Sequence, residues 1–181
     1  EWRVPMRTDG PPILTVVPLY PAYPTETVFT ETPRTEDAAV AVREQGGSRC
    51  VYFAGDAGRT FWRCFHPDPL RLMLNAVDWA LRGRRPVRVE GEGLLELFAW
   101  ETEAGFAVHL LNYNNPNAHR GVYLRHSPVG AQRVRMELPQ ERRIRRVTAL
   151  RAGRMLRFAQ RGRVVEFTVP AVTDYEVAAL E

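Results

Sequence analysis

The sequence contains no lysine: all 25 basic residues are arginine, and isoleucine and serine occur only twice each, as Ile13 and Ile144 and as Ser48 and Ser127. The simplest cause is a GC-rich coding bias, with a warm habitat as a possible reinforcement, although heat adaptation usually enriches lysine together with glutamate; the composition speaks about the genome rather than a function. There are only two cysteines, Cys50 and Cys64, which form no metal-spaced set and can make at most one disulfide. The expectation is a reduced, buried Cys50 and an incidental Cys64, which leaves the compartment open with the cytoplasm favoured. No apolar run approaches the roughly 20 residues of a membrane span, and no signal-peptide pattern opens the chain. A soluble piece with no membrane partner is expected. Because it begins at Glu1 without Met, it reads as a portion of something longer.

What is present is core-forming material. The chain has 181 residues with 45% hydrophobic and 25% charged side chains, 14 Pro and 13 Gly, which excludes disorder, collagen and coiled coil. The formal charge is +4. Residues 1–85 carry 11 Arg against 10 acids and residues 86–181 carry 14 against 11, the excess lying between Arg133 and Arg163 with 11 Arg and two Glu. There Arg alternates with apolar residues, as in Arg133-Val134-Arg135-Met136, the pattern of the wet face of an antiparallel sheet. The alternative is an anionic partner. Neither aromatic interleaving nor a nucleic-acid motif accompanies the charge, so no nucleic-acid partner is expected.

Residues 12–37 read as one short strand, Ile13 to Val17, and a long tether in which Pro18, Pro21, Pro24 and Pro33 forbid a continuous helix. Tyr20, Tyr23 and Phe29 would pin this tether to its own core or to a partner. Ala38 to Glu44 and Arg49 to Ala54, separated by Gln45-Gly46-Gly47-Ser48, read as a hairpin. A helix follows, with Asp68 as N-cap, Pro69 at the first position and Leu70, Met73, Leu74, Val77 and Leu81 as its apolar stripe. Arg82 would complement its dipole, Gly83 its left-handed cap, and Pro86 prevents resumption. The boundary between two domains, 1–85 and 86–181, falls there. After Pro86 the period becomes two, and eight short strands predict an antiparallel β-sandwich with hairpin turns at 103–105, 152–153 and 161–162 and a crossover loop from Asn112 to Gln132.

The sought-for chemistry is thin. No two carboxylates are placed across a cleft as glycoside hydrolysis needs. The turn Gly55-Asp56-Ala57-Gly58 carries no nucleophile, and Cys64 with His66 sets no relay geometry. His66, Asp68 and Asp56 lack a closed ligand set, so no metal or other cofactor is expected. Asp56, Arg59, Phe61, Trp62 and His66 form an interface or ligand candidate in what reads as a loop: Phe61 and Trp62 seal the helix while Arg59 pairs with Asp56, or the group meets another subunit, or it holds a small ligand. Trp100, Asn112, Tyr113, Asn114 and Tyr123 are carbohydrate-contact candidates, with ordinary turn formation as the competing reading of the Asn cluster.

The stretches Arg49-Cys50-Val51-Tyr52-Phe53-Ala54-Gly55-Asp56, Arg59-Thr60-Phe61-Trp62, His66-Pro67-Asp68 and Leu74-Asn75-Ala76-Val77-Asp78-Trp79-Ala80-Leu81 resemble the end of an α/β domain. It is the domain found behind the catalytic barrel in glycoside hydrolases related to the β-galactosidases, a trimerisation domain of flavodoxin-like or class I glutamine amidotransferase-like fold. Val108 to Pro116 and Val169 to Val177 resemble the β-sandwich that follows it. The resemblance implies a partial flavodoxin-like α/β piece plus an antiparallel β-sandwich, a homo-oligomer, and an upstream catalytic barrel as partner that holds the catalytic residues. It carries no catalytic residue onto this chain. Competing readings are an autonomous carbohydrate-binding sandwich using Trp100, Tyr113 and Tyr123, and the remnant of an α/β hydrolase or amidotransferase-like enzyme with its chemistry at Asp56 to His66.

Overall fold

Gly46 and Gly47 both adopt positive φ, 58° and 82°, which is the two-residue turn whose twist matches a hairpin. It joins β2 (Ala38–Gln45) to β3 (Ser48–Phe53), and β1 (Leu14–Thr15) adds to the other edge of β2, giving the order β1-β2-β3 with every pairing antiparallel. The computed structural model describes residues 3–30, 32, 35–114 and 125–181, and these divide into two compact units, Glu1–Arg84 and Arg85–Glu181.

In the first unit α1 (Ala57–Cys64) and α2 (Pro67–Ala80) follow the hairpin. The segment read as a loop is thus a two-turn helix. It lies against α2 at Gly58, where an added Cβ would sit 3.9 Å from Met73 Sδ. α2 begins earlier than expected: His66 is its cap, accepting the Asp68 N–H at 3.3 Å through Nδ1, and Pro67 takes the first position, where the missing N–H costs nothing. Gly83 is left-handed as its sequence position predicts, but Arg82 also has positive φ. Rather than sitting in the last turn, its guanidinium reaches Glu44 at 2.6 Å. α2 is tied to β3 by Arg49, which donates to the Trp79 carbonyl at 2.9 Å while lying 4.8 Å from that indole's centroid.

Three expectations change in this unit. The parallel pairing of a flavodoxin-like sheet is not among the described strands; a two-residue hairpin forces antiparallel neighbours, because parallel ones need a crossover. Cys50 is exposed, not buried, because β3 turns Ser48, Cys50 and Tyr52 outward in alternation. The aromatics of the tether stand in solvent, Tyr23 at 83% exposure, with one 3-10 turn at Thr25–Thr27 the only regular element described between β1 and β2. Pro33 lies outside the described residues.

The second unit has two antiparallel sheets. One has the order β10-β11-β7-β4, from β10 (Phe158–Arg161), β11 (Val164–Val169), β7 (Gln132–Glu137) and β4 (Val87–Glu90). The other runs β5-β6-β12-β8-β9, from β5 (Leu95–Glu101), β6 (Phe106–Asn112), β12 (Tyr175–Leu180), β8 (Val147–Ala149) and β9 (Arg154–Met155). Period two decides which side faces in. Phe106, Val108 and Leu110 of β6 and Val165, Phe167 and Val169 of β11 are buried in one cluster with Val134, Val147 and Leu180, so the core of this unit is a sandwich interior.

Two predicted strands are shorter than their patterns. Of residues 143–150 only 147–149 pair as a strand, since the Arg145 and Arg146 N–H groups go to the Glu181 carbonyl instead. The 155–159 run breaks at buried Leu156, so β9 belongs to one sheet and β10 to the other. The hairpin turns fall where predicted. Gly105 is required at its turn because an added Cβ would come within 1.9 Å of the Leu180 carbonyl oxygen, and Gly162 (φ 55°) opens the turn between β10 and β11.

Candidate functional site

Asp56 precedes α1 as its N-cap residue without capping it through its side chain, and its carboxylate lies 3.8 Å from Arg59 one turn on. Phe61 and Trp62 come at the end of the same helix, each beside Phe65, with centroids 5.7 Å and 5.6 Å away. Phe65 closes the helix with positive φ, which turns the chain sharply into α2. His66 is used as the α2 cap. The structure therefore brings Phe61 and Trp62 together around Phe65, sets Arg59 against Asp56, and assigns His66 to the backbone. Trp62 stays 59% exposed and Phe65 is exposed beside it, and Leu74 and Val77 of α2 and Leu81 at its C-terminal cap, spaced along one helical face, are exposed as well. This is an apolar surface.

The carbohydrate candidates separate. Asn112 is 5% exposed. Its amide donates to the Ser127, Val172 and Thr173 carbonyls at 2.8, 3.1 and 2.7 Å and accepts the Asn114 N–H at 2.8 Å. Asn114 in turn accepts the Leu94 N–H at 3.0 Å, and the Tyr113 N–H goes to the Leu94 carbonyl. The two Asn side chains thus stitch loops together. Trp100 is different: 60% exposed on edge strand β5, it shares the outer face of its sheet with exposed Phe98, two residues away, or about 6.6 Å along the strand. Tyr123, Asn115 and Pro116 lie outside the described residues.

Several acids are held by arginines. Asp174 takes Arg151 at two points, Glu137 takes Arg163 at 3.0 Å, Glu181 takes Arg146, and Glu44 takes Arg82 and Arg49. Glu44 is held below the usual carboxylate range, first by the hydrogen bond from Arg82, against a smaller opposing effect of desolvation. Buried Glu176 was not visible as a functional residue in the sequence. Its carboxylate accepts the Arg151 and Ala152 N–H groups at 2.9 and 3.1 Å, holding the turn that leads from β8 to β9. Buried Gln132 likewise donates to the Glu92 and Gly130 carbonyls, and Gly91 leaves the room its amide occupies. Among the described residues no group of three or more His, Cys, Asp or Glu could hold a metal ion, and Cys64 Sγ faces the Thr60 carbonyl at 2.9 Å. The geometry offers exposed apolar surfaces and a packed scaffold.

Among the described residues no helix is long and apolar enough to cross a membrane. No family model matches the sequence, and no curated protein matches it. Among solved structures the chain is similar to Alpha-L-fucosidase isoenzyme 2 from Paenibacillus thiaminolyticus, with 18% sequence identity and a TM-score of 0.62 over 94% of this chain and 25% of that chain. The matched enzyme is a fucosidase, where the motif resemblance points to β-galactosidases. The chain spans about a quarter of that enzyme's length, and what the two share is a fold.

Proposed function

We propose that this chain is a non-catalytic accessory region of a larger glycoside-hydrolase-like protein, in which residues 1–85 supply an assembly surface and residues 86–181 form a supporting sandwich. The observation that carries the reading is the recurrence of the fold over 94% of this chain as a quarter of a fucosidase. The exposure of the apolar side chains Trp62, Phe65, Leu74, Val77 and Leu81 supports it, because an amphipathic helix buries its apolar face against a neighbour in a complete arrangement. On this reading residues 1–85 are the last part of an α/β domain of the β-galactosidase trimerisation type, α2 meets a second subunit or an upstream barrel, and the acid and nucleophile reside in that barrel.

The coding sequence ahead of Glu1 tests this. A barrel-length segment containing two carboxylates at the ends of different strands is the expected result; an upstream region that encodes no such segment overturns it. A second reading, a carbohydrate-binding sandwich, is favoured by the exposed Phe98 and Trp100 on one sheet face. It predicts that soluble neutral oligosaccharides quench Trp100 fluorescence, and an unchanged spectrum argues against it.

A further inference from the structure

We infer that the cleft at the sheet switch between β9 and β10 binds a saccharide carrying an oxyanion, a carboxylate or a sulfate. The cleft, of about 510 Å³, forms where Leu156 and Arg157 carry the chain from one sheet to the other. β10 begins pairing only at Phe158, opposite Phe167, so Thr168 of β11 is paired with Arg133 of β7 on one side and has no β10 neighbour on the other. The gap exposes an apolar floor of Phe158 and Pro170, with Met155 at 74% exposure on the rim. Arg133, Arg154 and Arg157 surround it, and none of their guanidinium groups has a hydrogen-bond or ion-pair partner among the described residues. Elsewhere in the same arginine-rich stretch Arg146, Arg151 and Arg163 are each matched to a carboxylate, and a second arginine-lined concavity, formed by Arg142, Arg143, Arg145 and Arg146, has no aromatic ring in its lining to serve as an apolar floor.

The combination selects the ligand. Three unmatched guanidiniums around one concavity suit an oxyanion, which their planar forks can grip at two points. A simple inorganic anion would leave the apolar floor unused, whereas a pyranose has an apolar face to lay on it. Glu166 and Thr168, both lining the cleft, offer an acceptor and a hydroxyl for sugar OH groups. With one carboxylate, Glu166, in the lining, the three arginines suit a single oxyanion better than a run of phosphates, which disfavours nucleic acid and polyphosphate. The unpaired edge at Thr168 is also too short for an added peptide strand. The volume lies within the range of small-ligand sites.

The inference goes beyond the accessory role and stands on this cleft alone. It is tested by calorimetric titration of the full chain with trigalacturonate, a sulfated disaccharide, a neutral galactose disaccharide, and inorganic pyrophosphate. The expected result is binding of trigalacturonate, the sulfated disaccharide or both, at least tenfold tighter than the neutral sugar and pyrophosphate, and the two charged arms distinguish carboxylate from sulfate. Arg133→Ala with Arg157→Ala should weaken that binding at least tenfold with an unchanged melting curve. Arg143→Ala with Arg145→Ala, which removes the same charge elsewhere on the unit, should leave it within twofold. Equal loss in both double variants, neutral sugar or pyrophosphate binding as tightly as the charged saccharides, or no binding at millimolar concentration would each overturn the inference.

Discussion

Arg151 grips Asp174 at two points, Nε to Oδ1 and Nη2 to Oδ2 both at 2.7 Å, and the same guanidinium lies 4.8 Å from the centroid of the Tyr175 ring. The pair closes the entry to β12 against the turn after β8, where buried Glu176 accepts the neighbouring backbone N–H groups. Asp174 is held below the usual carboxylate range, first by the Tyr175 N–H that it accepts and then by Arg151, with desolvation opposing. A carboxylate whose folded pKa is depressed contributes stability that is present above its unfolded pKa and lost as pH falls through the folded one. Both Asp174 and Glu44 are of this kind. The melting temperature should therefore fall as pH drops through and below the ordinary carboxylate range. Asp174→Asn should melt lower than the parent at neutral pH and converge with it in acid; parallel curves at pH 7, 5 and 3 by calorimetry would contradict this.

Glu176 allows a sharper statement because it is 4% exposed and bonded to main chain rather than to a cation. Removing the carboxylate leaves the Arg151 and Ala152 N–H groups unmatched, a loss on the order of 2 kcal/mol for hydrogen bonds to a charged group. Glu176→Ala should shift the denaturant midpoint of the sandwich accordingly. Glu176→Gln, which keeps an acceptor oxygen, should recover part of that shift.

Much of this was legible in the sequence where the pattern is local. α2 is written by its apolar spacing and by prolines at its start and after its end, and the sandwich strands by strict alternation. The sequence reads the cap of α2 two residues late, at Asp68, because Pro67 and Pro69 both fit a first turn, and only the His66 side chain distinguishes them. α1 reads as a loop in the sequence because two turns rich in aromatics, with Gly58 at the second position, look irregular until Met73 is brought against them. The roles of Glu176 and Gln132 and the arginine cleft were invisible for one reason: each joins residues 20 or more positions apart through sheet pairing. The switch of sheets at Leu156 could not be read from a strand pattern that appears continuous.

Two substitutions of one residue type should separate core from assembly surface. Leu110 is fully buried in the sandwich, so Leu110→Ala should cost about 3 kcal/mol or more through lost transfer free energy and an unfilled cavity. Leu74 is exposed on α2, and Leu74→Ala should leave the melting temperature within a degree or two. If the α2 stripe is an assembly surface, Leu74→Ala combined with Trp62→Ala should instead lower the apparent mass by light scattering at micromolar concentration, and moderate salt should not. A particle that is monomeric from the outset and unaffected by both changes would remove the assembly role from this chain.

The two units should differ in their ability to fold alone. Every member of the buried hydrophobic cluster lies between Val87 and Leu180, and the second unit closes its own hydrogen bonding, with the Glu137 N–H on the Pro86 carbonyl and the Glu181 N–H on that of Arg146. In the first unit the described buried hydrophobics are Ala38, Val40 and Ala54, small side chains that cannot offset the conformational entropy of ordering a segment of that length. Residues 85–181 expressed alone should therefore unfold cooperatively in urea with a single midpoint. Residues 1–84 alone should bind a hydrophobic dye and show no cooperative transition. The result that would refute this is a first fragment that melts cooperatively as a monomer, because α1, α2 and the hairpin would then form a self-sufficient domain whose exposed stripe needs no neighbour.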